Sequence, residues 1–351
     1  MPKVSIIIPV YNVEQYLQDC IDSLVKQTLE DTELIFVNDA SPDNSLAILH
    51  ENQKKYPDRI VVIDSKVNLR QGGARNLGLQ RATADYVGFV DSDDFVSPMM
   101  YQGLYEKAVE TDADAVFMSA VCMPMTAEYG NVNFSDPGAF AVYFNPQRCR
   151  KLEGRELTVA DKSEFITHMV GPSVWAGIYK KSVLLDHNLL FPEHLKFEDN
   201  YWCALARCYF SKIAVAEGVG YYYRFNQNST VNKKNTRDFY DRSKVEEMLL
   251  DAVKERGLWD DHYEAWEFLF ANRYGINTFL KFVTKYDEIP FDSIKELQAE
   301  VNEKFPNWRQ NKYLKEDKSL KQKIRRIAFS LKPDSALGRL GMKVIAAYFN
   351  R

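Results

Sequence analysis

The chain has 351 residues, of which 46% are hydrophobic and 27% are charged, and its formal net charge is -4. This composition provides a core for one large domain, or for one domain plus an appendage, and it excludes a disordered chain or a general nucleic-acid-binding protein. The five cysteines form no CxxC pair, so neither a disulfide framework nor a zinc site is expected, and a reduced compartment fits. Because no signal peptide and no apolar run of roughly 18 residues is found, we expect a cytoplasmic protein.

Strands and helices are predicted to alternate over the first 120 residues. Buried strands are predicted at residues 4–10, 34–37, 60–64, 86–90 and 115–121. Helices are predicted at residues 13–27, 41–55 and 99–110, and residues 70–76 are predicted to begin another. In the second helix Ser41 is the expected N-cap and Pro42 the first helical residue. This alternation predicts a doubly wound, mostly parallel α/β sheet whose ligand lies beyond the carboxyl ends of its strands.

The pattern changes after this sheet. Residues 123–155 lose periodicity and collect Gly, Pro, Asn and Tyr, which predicts a long functional loop. Further strands are predicted at residues 174–179, 213–216 and 221–225, and helices at residues 164–170, 201–210, 238–256, 261–285, 291–304 and from 314 onward. We therefore predict an α/β domain over residues 1–232, with halves at 1–120 and 121–232, and a helical region over residues 233–351.

An acidic cluster follows the strand that begins at Tyr86. The apolar run ends in Asp-Ser-Asp-Asp at residues 91–94, and three carboxylates so close together repel one another. A divalent cation removes this cost, and oxygen ligands at the carboxyl end of a strand suit Mg²⁺ or Mn²⁺ shared with substrate phosphates. Tyr11, Asp39 and Asp64 are expected at the same edge. There Asp39 offers a nucleobase a hydrogen-bond acceptor and Tyr11 offers it a stacking face.

Four motifs follow one another in the first third of the chain. They are Val4–Asn12 with Glu14 and Tyr16-Leu17, Val37–Ser45, Asn68 with Gly72–Asn76, and Asp91–Asp94. In this order they resemble the motif series of family 2 glycosyltransferases, which have the GT-A fold and transfer a sugar from a nucleotide diphosphate with inversion. The resemblance is strong over residues 1–120 and extends through Val231, by way of Val174–Ser182, Glu198-Asp199, Tyr222–Arg224 and Asn228–Val231.

For the donor, the resemblance implies a nucleotide sugar. It assigns Asp39 to accept a hydrogen bond from the uracil N–H, which favours a UDP-sugar. The alternative for Asp39 is a cap on the helix after it, and for Asp64 a plain turn. The resemblance places Mn²⁺ or Mg²⁺ on Asp93, while Asp94 is expected to cap the following helix. The donor-binding residues implied are Pro9, Tyr11, Glu14, Asp39, Asp64, Arg70, Arg75, Asp91 and Ser92.

Two arginines flank the glycines of the third motif. Glycines at positions 72 and 73 are expected to let the backbone approach a ligand, so that either guanidinium meets a phosphate or the ribose. Arg75 is expected to pin the acidic loop or the nucleotide through Asp91. For Arg70 the alternative is a surface ion pair.

Inverting transfer requires a Lewis acid at the leaving diphosphate and a carboxylate on the opposite face of the sugar. Glu198-Asp199, at the start of an apolar helix, is the candidate pair, and helix capping is its alternative role. The resemblance assigns the base to Asp199, and Glu198 is expected to position donor or acceptor. Trp175 is expected either to stack on a sugar or to pack in the core, and Arg224 to close over the diphosphate.

Residues 312–351 are basic and amphipathic. Eleven lysines and arginines stand against three acidic residues and alternate with apolar residues at helical spacing. Such a segment suits an anionic membrane surface, where it would serve a lipid-linked acceptor. The alternatives are that its helices pack on the protein or join copies of the chain in a homo-oligomer.

The sequence thus favours a metal-dependent, inverting glycosyltransferase acting on a glycan or lipid-linked acceptor in surface polysaccharide or glycolipid synthesis. We expect it in the cytoplasm or at the inner face of the cell membrane. The alternative is a catalytically silent module that binds sugar nucleotides or docks on a membrane. A nucleotidyltransferase or a dinucleotide dehydrogenase is disfavoured because Pro9–Asn12 stands where either would carry a glycine-rich loop.

Overall fold

A computed structural model of the chain describes residues 1–125, 151–169, 173–224 and 234–349. The chain divides into two compact units, residues 1–225 and residues 226–351. The first unit holds all the strands of the described residues, and the second is helical over the part described. The predicted long loop lies outside the described residues over positions 126–150.

One mixed sheet organises the first unit. Its strands are β1 (Val4–Val10), β2 (Thr32–Asp39), β3 (Ile60–Ser65), β4 (Tyr86–Phe89), β5 (Phe95–Val96), β6 (Ala115–Met125), β7 (Gly177–Lys180) and β8 (Ile213–Arg224). They are arranged in the order β3-β2-β1-β4-β7-β6-β8-β5. Pairing is parallel among β1, β2, β3 and β4 and between β6 and β8, and antiparallel at β7 and β5. The predicted mostly parallel α/β sheet is confirmed.

Over the described residues, seven α-helices pack around this sheet. They are α1 (Glu14–Val25), α2 (Ser45–Lys55), α3 (Arg70–Arg81), α4 (Met100–Thr111), α5 (Val159–Glu164), α6 (Lys181–Asp186) and α7 (Glu198–Arg207). The prediction that Ser41 caps α2 is wrong, because the helix begins at Ser45. The Ser41 hydroxyl instead accepts from the backbone N–H of Asn12 at 2.8 Å and donates to Asp43, so it joins the loops after β1 and β2.

Two strand predictions also change. Residues 174–176 form a 3₁₀ turn before β7 begins at Gly177. The two strands predicted between residues 213 and 225 are the single strand β8. Between the two predicted strands, Gly218 adopts a φ of 103° and the Ser119 hydroxyl accepts from its N–H at 3.0 Å. The chain passes this irregularity and keeps pairing with β6.

The apolar residues of β1 and β2 form the centre of the first core. Helix α3 packs on β1 and β2, and α4 packs on β6 and β8. A cluster of buried aromatic rings, with centroids 4.8–6.1 Å apart, fills the space beside β4 and α7 and comprises Phe89, Tyr179, Phe191 and Trp202. Because Phe191 lies in the segment that leads to α7, this cluster fixes the entry to the helix that carries Asp199.

The second unit has its own core. Its helices are α8 (Asp241–Glu255), α9 (Tyr263–Phe268), α10 (Asn277–Lys285), α11 (Phe291–Lys304), α12 (Lys312–Glu316), α13 (Leu320–Phe329) and α14 (Ala336–Phe349). A π-helical segment, Leu269–Ile276, joins α9 to α10 within the helix predicted at 261–285. Trp266, Trp308 and Phe329 are buried in this unit. No helix of the described residues is long and apolar enough to cross a membrane.

Candidate active site

Strained backbone collects at the carboxyl edge of the sheet. Eight non-glycine residues among those described have positive φ, a region that side chains with a Cβ rarely adopt. Five of them lie in the segments around this edge, namely Asn12, Ala40, Arg70, His194 and Phe197. Positive φ outside glycine is concentrated at functional sites, where surrounding contacts hold it in place. The edge is therefore the candidate active site.

Arg75 is the buried centre of this edge. Its Nη2 donates to Asp91 Oδ1 at 2.8 Å and its Nη1 donates to Glu198 Oε1. The Arg75 and Glu198 side chains are only 3% and 5% exposed. Burial alone would lower the pKa of Arg75, but the carboxylates of Asp91 and Glu198 outweigh it and raise the pKa, so the guanidinium stays charged. The predicted contact between Arg75 and Asp91 is present, and Arg75 also joins α3 to α7.

Gly72 of helix α3 lies against the segment that leads to α7. A Cβ on Gly72 would stand 2.2 Å from the carbonyl oxygen of Pro192, so a side chain there is excluded. One turn further on, Asn76 Nδ2 donates to the carbonyl of Phe191 at 3.0 Å, and its Oδ1 accepts from the Phe191 N–H at 2.9 Å. The expectation that Gly72 admits a ligand is corrected, because the closest group is the segment that leads to Glu198.

Asp199 lies beside Glu198 in the first turn of α7. It is partly exposed, whereas Glu198 is 3% exposed. Burial and the neighbouring charges of Glu198 and Asp91 raise the pKa of Asp199 to about 7, although Arg75 and the Asn200 N–H act to lower it. A carboxylate whose pKa lies near neutrality is suited to accept a proton in a reaction. The influence of Arg75 and Asp91 also shows that Asp199 belongs to the same charged cluster.

Asp94 anchors the acidic loop to β8. It is 1% exposed, its Oδ2 accepts from the Tyr221 hydroxyl at 2.7 Å and its Oδ1 accepts from the Arg224 N–H at 2.7 Å. Burial and the charges of Asp93 and Asp91 raise the pKa of Asp94. The prediction that Asp94 caps the following helix is wrong, since its carboxylate is used by β8.

Arg224 also holds the acidic loop. Its Nε donates to the Asp93 carbonyl at 3.0 Å and its Nη2 donates to Asp19 at 2.7 Å. The guanidinium stands over the rings of Tyr16 and Phe95, 5.1 and 5.2 Å from their centroids. The structure thus gives Arg224 a role in holding the loop, and its predicted contact with a diphosphate stays a prediction.

Trp175 is packed inside the first unit. It is 5% exposed and stacks on Tyr221 with ring centroids 4.1 Å apart. Tyr221 in turn donates to Asp94 and accepts from the backbone N–H of Asp91 at 3.1 Å. Trp175 therefore supports the acidic loop through Tyr221, and its predicted stacking on a sugar stays a prediction.

The residues expected at the nucleobase lie at the ends of β1, β2 and β3. Tyr11 is 49% exposed and lies two residues after the buried Pro9. Asp39 Oδ1 accepts from the Leu69 N–H at 2.7 Å, so Asp39 contacts the start of α3 and not α2. Burial raises the pKa of Asp39, although hydrogen bonds from the backbone act to lower it.

Two other predicted donor residues have partners within the protein, and a third is buried. The Lys66 ammonium donates to the Asp64 carboxylate, and Asn38 Nδ2 donates to Asp64 Oδ1 at 2.9 Å. Both hydrogen bonds lower the pKa of Asp64. Glu14 Oε2 accepts from the Asn44 N–H at 2.8 Å, which ties the loop after β1 to α2. Ser92 is buried in the acidic loop. None of these contacts tests the predicted binding of a donor.

Asp93 fits a shared cation. No group of three or more metal-binding side chains occurs among the residues that the structure describes. Mg²⁺ is nevertheless held by one or two carboxylates together with substrate phosphates. Asp91 pairs with Arg75 and Asp94 accepts from Tyr221, and the side chain of Asp93, between them, is partly exposed at the edge while its carbonyl accepts from Arg224. Asp93 would therefore hold such a cation.

Sequence reasoning missed Tyr221 and Asn76. The sequence predicts only that Tyr221 lies in a strand. Nothing local in the sequence identifies its partner, Asp94, which is 127 positions away. Asn76 carried a signal, because asparagine is disfavoured inside a helix unless its amide finds a partner. That signal indicates that the Asn76 amide has a partner, but it does not identify the segment that provides it.

A mostly parallel sheet with an acidic loop and the Glu198-Asp199 pair at its carboxyl edge belongs to the class of α/β proteins that bind a ligand beyond the ends of their strands. Residues 5–147 match the family described as Glycosyl transferase family 2, and this part of the chain belongs to that family. It is 34% identical over 235 residues to the uncharacterized glycosyltransferase EpsJ of Bacillus subtilis, covering 65% of this chain and 63% of EpsJ. It is 30% identical over 279 residues to the poly(ribitol-phosphate) beta-glucosyltransferase of Bacillus spizizenii, covering 78% of this chain and 40% of that protein.

The same fold occurs in a solved structure. The structure of S. aureus TarS 1–349 in complex with UDP-GlcNAc superposes with a TM-score of 0.59 and 19% identity, covering 99% of this chain and 91% of that one. The predicted GT-A fold is confirmed. In sequence, the chain spans 63% of the length of EpsJ and 40% of that of the beta-glucosyltransferase.

Proposed function

We propose that the chain is a metal-dependent, inverting glycosyltransferase that moves a hexose from a UDP-sugar to a hydroxyl of a surface polymer or lipid-linked glycan. The donor class is supported by TarS, which has been solved with UDP-GlcNAc and with UDP. The acceptor class is supported by the relative named poly(ribitol-phosphate) beta-glucosyltransferase. We place the reaction in the cytoplasm or at the inner face of the cell membrane.

The observation that carries this proposal is the pairing of Arg75 with both Asp91 and Glu198. The ion pairs bring the acidic loop and the first turn of α7 to one centre. Asp199 adjoins that centre, is partly exposed and has a pKa raised toward neutrality. One side of the centre therefore offers the acidic loop to the diphosphate, and the other offers a base to the acceptor.

Donor binding falls to the edge residues. Tyr11 covers the ring or ribose of the nucleotide, and Asp39 accepts from the base. Asp93 would hold Mn²⁺ or Mg²⁺, which supplies Lewis-acid stabilisation of the leaving diphosphate when bound. Arg75 keeps Asp91 at the ribose and prevents the loop from moving.

The transfer itself needs one proton acceptor. Asp199 takes the proton of the acceptor hydroxyl as that oxygen bonds to the anomeric carbon. The bond from that carbon to the diphosphate oxygen breaks with its electron pair, and the nucleoside diphosphate leaves from the opposite face. Glu198 does not serve as the base, because it is 3% exposed and bound to Arg75.

A donor screen tests the proposal. The purified chain is incubated with a panel of UDP-sugars in Mn²⁺, and the release of free UDP is measured with and without a chelator. We expect at least one UDP-sugar to be turned over and the turnover to stop when the metal is removed. Absence of metal-dependent turnover with every donor, combined with intact UDP binding, would favour the silent binding module.

A further inference from the structure

The last helix of the second unit, α14, has apolar residues on two opposite sides. One side is buried through Gly338 and Met342. The other side is exposed, and its four apolar residues, separated by three or four positions, form what we call the outer stripe. The stripe consists of Leu337, Leu340, Val344 and Tyr348, which are 82%, 60%, 61% and 52% exposed.

The outer stripe is not needed to hold α14 in place. The helix contacts α10 and α13. At Gly338 a Cβ would stand 1.9 Å from the Lys332 carbonyl oxygen, so the buried side is closely packed. Met342 is 0% exposed on the same side. The helix is therefore already attached through its inner side, and its outer stripe lies open.

Basic side chains accompany the stripe, both on α14 and in the segment before it. Arg339 and Lys343 are exposed on α14 itself, next to Leu340. Between residues 318 and 349 there are eight lysines and arginines and a single acidic residue, Asp334, which is paired with Lys295 at 2.9 Å. Helix α13 also carries exposed apolar residues among its basic ones, at Leu320 and Ile327.

This charge pattern selects between two occupants of the stripe. In a two-fold contact with a second copy, the same residues of the two copies would face one another. The lysines and arginines near one stripe would then repel those near the other. An anionic lipid surface satisfies both features, because its headgroups attract the lysines and arginines while its acyl boundary accepts the apolar side chains. The tyrosine at position 348 suits the same boundary.

We propose that the outer stripe of α14 docks the protein on an anionic membrane surface. With 14 residues the helix is about 21 Å long, shorter than the hydrocarbon core, so it lies in the plane of the surface and does not span it. This inference goes beyond the proposed function and does not rest on it, since it concerns the second unit alone.

Vesicle sedimentation of the whole chain tests the inference. Vesicles of phosphatidylglycerol with phosphatidylcholine are compared with vesicles of phosphatidylcholine alone. We expect binding to the anionic vesicles, reduced by added salt and lowered about tenfold or more in the double variant Leu340→Ser with Val344→Ser. The matched control is Met99→Ser with Val109→Ser, two side chains that are 66% and 61% exposed in the first unit, and it should bind normally.

Three results would overturn the inference. These are no binding to anionic vesicles, equal binding by the stripe variant, or a concentration-dependent dimer in light scattering that the stripe variant loses without any vesicle binding. The last result would make the stripe a subunit interface. Should the double serine variant misfold, the pair Lys332→Glu with Lys343→Glu, two exposed lysines, tests the charge requirement instead, and unchanged vesicle binding by that pair would also overturn the inference.

Discussion

Arg75 joins carboxylates from two distant parts of the chain. Asp91 is 16 residues away and Glu198 is 123 residues away. Removing one partner from a buried ion pair leaves an uncompensated charge, which costs about 3–5 kcal/mol. We therefore expect Arg75→Met to lower the free energy of unfolding by about that amount in urea titrations.

The matched control for that variant is Arg81→Met. Arg81 also lies on α3 and pairs with Glu33 at 3.4 Å, but its side chain is 48% exposed. Exposed pairs contribute about 1 kcal/mol or less, so Arg81→Met should change stability little. Equal effects of the two variants would show that the buried pairing is not what holds the acidic loop to α7.

The raised pKa of Asp199 gives the reaction a pH dependence. The base must be ionised, and a pKa raised to about 7 means that the proton is retained at lower pH. We expect kcat/KM to fall about tenfold per pH unit below about 7 and to level off above it. The profile of an Asp85→Asn variant, at the opposite end of β4, should be unchanged. A profile that is flat through neutrality would contradict the assignment of Asp199.

How much of the site the sequence predicts depends on the range of each interaction. The acidic loop, Asp39 and Asp199 are visible as carboxylates at the ends of buried runs. The contact of Arg75 with Asp91 is local enough to be anticipated. The pairing of Arg75 with Glu198 and of Tyr221 with Asp94 depends on tertiary contacts across more than 120 residues, which no local pattern encodes.

At the scale of elements, α3 is the part on which the site is assembled. Its Gly72 contacts the Phe191–Pro192 segment and leaves no space for a Cβ. We expect Gly72→Ala to destabilise the protein by about 1–3 kcal/mol, because the 191–198 segment must move, and to reduce transfer activity as Glu198 and Asp199 shift with it. Urea unfolding and nucleotide release measure the two effects.

Gly103 on α4 is the matched control for this substitution. A Cβ there meets nothing within 4 Å. Because alanine is favoured over glycine inside a helix, Gly103→Ala should stabilise the protein by about 0.5–1 kcal/mol and leave activity unchanged. If both variants behaved alike, the close approach at Gly72 would have no energetic importance.

Element prediction succeeded where apolar periodicity is continuous and failed where polar residues interrupt it. Strand β1 and helix α11 were predicted at their observed bounds. The two-residue strand β5 was missed, because its pairing with β8 is set by the acidic loop before it. Strand β8 was divided in the prediction, because a Glu-Gly pair reads as a turn although it forms an irregularity within the strand.

At the scale of the whole molecule, ligand binding should raise thermal stability only when the metal is present. UDP at about 100 times its Kd stabilises a protein by about 2.7 kcal/mol if it binds only the folded state. We expect UDP with Mn²⁺ to raise Tm, and the rise to disappear in Asp93→Ala but not in Asp85→Ala. The same rise in Asp93→Ala as in the wild type would remove Asp93 from the metal site.

The most direct test of the account compares binding and transfer in one variant, Asp199→Asn. The UDP affinity in Mn²⁺ and the rate of sugar transfer from the best UDP-sugar are measured on the same preparation. We expect an unchanged UDP affinity and a transfer rate lower by about 10² to 10⁴-fold, because a positioned base contributes that much. Near-normal transfer by Asp199→Asn would contradict the assignment of the base and the arrangement built on it.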